Sequence, residues 1–77
     1  MFNNFADRLY VLRRLRGLNA NEVAYKLGVA PATVSSWELG KTTPHFSVIK
    51  QIAKEYNCTL SWLFGETPID AIEGAEK

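Results

Sequence analysis

The sequence holds one cysteine, Cys58, and one histidine, His45. An intrachain disulfide is excluded, and such a pair cannot supply the ligands of an ordinary zinc site. No cofactor is expected. Nothing approaches the roughly 18 to 20 apolar residues that cross a bilayer. Residues 1–16 mix Asn, Asp and four arginines with apolar residues, unlike the basic start and unbroken apolar stretch of a secretory signal. A cytoplasmic location is therefore expected. Strand-like alternation is scarce as well. One His, one Cys and scattered acids assemble no Ser-His-Asp, Cys-His or paired-carboxylate arrangement, so catalysis is not expected. What is present, 77 residues of which 47% are hydrophobic, suits one small domain with a single core.

A strong net charge is also missing, but the total of +1 hides a division along the chain. Residues 1–65 carry eight Lys or Arg against four Asp or Glu. Residues 66–77 carry Glu66, Asp70, Glu73 and Glu76 against Lys77. A basic body with an acidic tail suits a polyanionic partner better than the sum suggests, although a solvated surface accounts for so small an excess equally well.

Helix signals recur at short intervals. Phe5, Leu9 and Leu12 share one helical face, and Gly17 is placed to end that helix, predicted over about residues 4–16. Asn19 and Glu22 form a capping-box pattern, followed by the inward face of Val23, Ala24 and Leu27 and a stop at Gly28. Pro31 fits a first helical position, where no N–H is needed. Val34 and Trp37 then face inward, and Gly40 ends the third helix. After a turn at Thr42, Thr43 and Pro44, the residues Val48, Ile49, Ile52, Ala53 and Tyr56 predict a fourth helix ending near Asn57. Thr59 is the expected cap of a short fifth helix carrying Leu60, Trp62, Leu63 and Phe64, which stops at Gly65. Thr67, Pro68 and Asp70 have the pattern to start one more turn of helix, with Ile69 and Ile72 on one side. The expected organisation is an all-α domain over 1–65 and a tail over 66–77, either a short extra helix or a disordered end. Helices this short are marginal alone and must be stabilised by burying their faces together.

The informative stretch runs from Asn19 to Gly40. Two helices of about eight residues, turned through Gly28, Val29 and Ala30, match the helix-turn-helix unit whose second helix enters the DNA major groove. Small Ala24 lets the pair cross closely.

With Arg8-Leu9 through Arg13, GLNANEVAYKLGVAPATVSSWELGK, Pro44, Ile49, Ile52-Ala53 and TLSWLFG, the chain resembles the Cro and lambda-repressor type of helix-turn-helix, also called Xre. The resemblance covers roughly residues 5–65 and implies a compact five-helix DNA-binding domain. It implies an ion pair between Arg13 on the first helix and Glu38 at the end of the recognition helix. It also sets Asn19, Asn21, Thr33, Lys41, Thr42 and Thr43 against the sugar-phosphate backbone, with His45 beside them. Lys26, Arg14 and Arg16 are looser candidates for the same role. Amides, hydroxyls, an ammonium and helix N-termini are the groups that hold phosphates.

Base readout falls to the outer face of the third helix, at Pro31, Ala32, Ser35 and Ser36. Here the chain departs from the family pattern, with Ala20 where Gln is frequent and Ala30 where Ser or Thr commonly caps. Pro31 and Ala32 offer only apolar contacts, and serines discriminate poorly among bases. Specificity is left to dimer spacing, DNA shape and water, with Asn21 and Tyr25 as further contributors. The resulting expectation is a transcriptional regulator, a phage- or bacterial-type repressor acting as a homodimer on a palindromic operator in double-stranded DNA. It would be either a minimal Cro-like protein or the first part of a longer repressor. The competing expectation is a protein-interaction module such as an antitoxin, whose main partner is a protein.

Overall fold

The computed structural model describes residues 4–74. Five helices follow in order: α1 (Phe5–Leu15), α2 (Ala20–Leu27), α3 (Pro31–Glu38), α4 (Phe46–Glu55) and α5 (Leu60–Leu63). There is no strand among the described residues. Each helix begins where the local chemistry allows. Asn4 accepts from the Asp7 N–H at 2.9 Å, Asn19 and Glu22 complete the reciprocal capping box, and Thr59 accepts from the Trp62 N–H at 3.0 Å. His45 caps α4, its Nδ1 accepting from the Ser47 N–H at 3.3 Å. Only α3 lacks a side-chain cap: Ala30 has no oxygen to offer, and Pro31 compensates in part by occupying the first turn.

All five helices end in the same way. An N–H two or three residues past the helix reaches back to a carbonyl in the last turn: Leu18 to Arg13, Val29 to Ala24, Lys41 to Ser36, Cys58 to Ala53 and Glu66 to Ser61. The residue before each donor has positive φ. Four are glycines, and Asn57 at φ 57° takes the same role after α4.

The inward faces meet in one core. Leu9 and Leu12 of α1, Val23 and Ala24 of α2, Val34 and Trp37 of α3, Ile49, Ile52, Ala53 and Tyr56 at α4, and Trp62 and Leu63 of α5 are all buried. Trp37 and Trp62 are thus core residues. Arg8 is buried with them, its guanidinium 4.9 Å from the Trp62 ring centre and donating at 2.8 Å to the Trp62 carbonyl.

For the tail, expected as a short extra helix or a disordered end, no helix is formed among its described residues. Residues 66–74 form turns folded onto the body, with Ile69 and Ile72 packed against the core. The physical reason is competition for its carbonyls. Thr67 O accepts from Arg8 Nη2 at 2.8 Å, Ile69 O from Trp62 Nε1 at 3.0 Å and Glu73 O from Arg16 Nη1 at 2.9 Å. Glu76 and Lys77, counted with the acidic tail above, lie outside the described residues.

Candidate nucleic-acid interface

The site is built on the angle between α2 and α3. Gly28, at φ 74°, reverses the chain after Leu27, and the Val29 N–H bonds the Ala24 carbonyl at 3.0 Å, so only three residues separate α2 from α3. Ala24 is 1% exposed and Val34 fully buried, and the absence of bulk at Ala24 brings the two backbones together.

Arg13 fixes α3 against α1. Its Nε donates to Glu38 Oε2 at 2.7 Å and its Nη2 to Oε1 at 2.9 Å, a bidentate pair. A third donor, Nη1, reaches the Leu18 carbonyl at 3.1 Å, just before α2. One guanidinium therefore joins α1, the approach to α2 and the end of α3. The bond to Glu38 raises the Arg13 pKa, against the opposing effect of burial.

Turned away from the core, α3 presents Pro31, Ala32 and Ser35, all exposed, with Ser36 half-buried at one edge and Thr33 half-buried at the other. Leu39, directly after the helix and 69% exposed, extends this face by one turn beyond Ser35. Sequence reasoning missed it, although the 31, 35, 39 spacing carried the signal. The face thus shows three apolar residues and three hydroxyls, with no carboxylate in its first turn.

The loop after α3 is tied to that helix. The Lys41 and Thr42 N–H groups both donate to the Ser36 carbonyl, at 3.0 and 3.5 Å. The side chains of Lys41, Thr42 and Thr43 are exposed, while Pro44 is buried and anchors the turn. At the other end of the motif, Asn19 and Asn21 are exposed at the start of α2, where Asn19 Oδ1 is engaged by the cap. The looser cations part company. Lys26 pairs with Glu55 at 3.2 Å, and Arg16 is committed to the Tyr56, Asn57 and Glu73 carbonyls. Arg14 stays exposed, donating to the Tyr10 hydroxyl at 2.8 Å.

Cys58 stands apart from this surface, half-buried, its thiol pushed up to about 11 by burial against the opposing influence of Arg16. Among the described residues no group of three or more His, Cys, Asp or Glu is placed to hold a metal ion, and no helix is long and apolar enough to cross a membrane.

The five helices and the α2–Gly28–α3 turn agree with what comparison with known families finds. The family model described as Helix-turn-helix matches residues 9–63, and the chain belongs to that family, the Xre, Cro and lambda-repressor type of DNA-binding regulator. A search of curated proteins found no match.

Proposed function

We propose that this DNA-binding regulator is a repressor, of phage or bacterial Xre type, that lays α3 in the major groove of a palindromic operator as a homodimer. The observation that carries this reading is the exposed α3 face of small residues, flanked by the α2 N-terminus on one side and the Lys41–Thr43 loop on the other. Short side chains let the helix backbone approach the groove closely. Pro31, Ala32 and Leu39 suit thymine methyl groups, and Ser35 and Ser36 donate to or accept from base edges. Asn19, Asn21, Thr33, Lys41, Thr42 and Thr43 supply phosphate contacts around it. With no Arg, Gln or Asn on the reading face, one domain binds weakly and a second copy one helical turn away, about 34 Å, adds the missing selectivity. Occupying a promoter in this way represses it.

A second reading, an interaction module with a protein as its main partner, is favoured by one observation: Leu39 is 69% exposed on the same face as Pro31 and Ala32. Selection from a random DNA pool, with sedimentation measured in parallel, separates the two. The repressor reading expects an enriched inverted repeat bound by two chains. Absence of any enriched sequence overturns it.

A further inference from the structure

On the side of α2 turned toward α4 there is an open groove of about 550 Å³. Its surface is mainly apolar, with Leu18, Tyr25 and Tyr56 supplying the hydrocarbon and Asn19, Asn21, Glu22 and Lys26 the polar part of the lining. Two features of it have no use in the fold. Tyr25 is 88% exposed, which wastes the apolar surface of a tyrosine ring. Tyr56 is 92% buried, being 8% exposed, yet its hydroxyl has no hydrogen-bond partner. A buried hydroxyl without a partner costs free energy and calls for an explanation.

The local charge says what kind of partner fits. Burial raises the Tyr56 pKa, and the carboxylates of Glu55 and Glu22 raise it further, so the hydroxyl lies in negative potential. That potential is already met at the surface by a cation of the chain itself, since Lys26 Nζ sits 3.2 Å from Glu55 Oε2, with the lysine side chain 60% exposed. Such an exposed ion pair holds its partners loosely. A cation arriving from outside can take the place of the lysine ammonium beside Glu55 and lay its apolar part against the exposed Tyr25 ring.

We propose that this groove is a binding site for a small aromatic organic cation, an arylalkyl ammonium, which displaces Lys26 from Glu55 and gives the Tyr56 hydroxyl its partner. The Tyr56 oxygen accepts an ammonium N–H, and the Tyr25 ring covers the aromatic group. The groove shares Asn19 and Asn21 with the proposed phosphate contacts, so the proposal is tested without DNA.

The experiment is a titration of the full chain, followed through its backbone amide signals, with three probes that differ in charge: 2-phenylethylammonium, 2-phenylethanol and phenylacetate. The expected result is saturable movement of Leu18, Tyr25, Lys26 and Tyr56 by the ammonium, about tenfold tighter than the alcohol, with no saturation by the carboxylate. Tyr56→Phe should weaken the ammonium about fivefold without lowering the melting temperature, because the hydroxyl it removes is unsatisfied in the free protein. Lys26→Ala should tighten it about threefold, since the competing cation is gone, a direction that loss of structure cannot produce. Equal binding of the three probes, movement centred on another surface, or unchanged affinity in either variant overturns the proposal. So does burial of Tyr25 against a second copy of the chain, seen as concentration-dependent shifts with no amine present.

Discussion

At the scale of single residues, Arg13 has the widest reach, because three of its donors are committed to two other parts of the motif. The Arg13 and Glu38 side chains are only 14% and 10% exposed, so removing either leaves a desolvated charge behind. Arg13→Ala and Glu38→Ala should each cost about 2 to 4 kcal/mol by urea denaturation. The double variant should cost less than the two together, and strict additivity would mean that the pair contributes nothing. Lys41 is the opposite case, exposed and without influence on the fold. Lys41→Ala should leave the melting temperature unchanged and weaken binding to all DNA sequences alike, with the salt dependence shallower by about one unit, measured by fluorescence anisotropy at several salt concentrations.

At the scale of elements, the five helix ends show why so much of the fold is legible in the sequence. Gly17, Gly28, Gly40 and Gly65 each mark a stop, and each sits in the left-handed conformation that its position demands. Asn57 does the same work, and as the residue type next most tolerant of that conformation it could be read nearly as well. Gly28 tests this directly. A Cβ there meets nothing within 4 Å, so Gly28→Ala carries backbone strain and no clash. A loss of about 1 to 2 kcal/mol in thermal or urea denaturation is expected. The bends between elements, by contrast, depend on contacts far apart in the chain. The Arg13–Glu38 clamp could be named only through family resemblance, since no local pattern pairs residues 25 positions apart. Leu39 escaped because it lies just past the last residue of α3, next to the stop at Gly40, where helical spacing alone no longer assigns a face.

At the scale of the whole molecule, the tail is where local reasoning had least to work with. Its acidic residues and Pro68 read as a solvated end or one more turn of helix, whereas its conformation is set by Arg8, Arg16 and Trp62 reaching it from the body. Local sequence carries no sign of a partner some 59 residues earlier. A chain ending at Gly65 would strip the Thr67 carbonyl from buried Arg8 and the Ile69 carbonyl from the Trp62 indole, and uncover the apolar surface under Ile69 and Ile72. Loss of these hydrogen bonds and contacts should amount to at least about 2 to 3 kcal/mol, lowering the melting temperature by roughly 10 to 20 °C. An unchanged melting temperature would show the tail to be dispensable.

The longest dimension of the described residues, 30 Å, is close to one turn of B-form DNA, about 34 Å, the half-site spacing that the proposed homodimer requires. Whether α3 is the element that enters the groove decides the rest. Amide spectra recorded with and without the duplex recovered by selection answer it: the account predicts that Asn19, Ala32, Ser35, Ser36, Lys41 and Thr42 shift most while the α5 signals stay in place. Unmoved α3 signals, with the largest shifts on another surface, would contradict it.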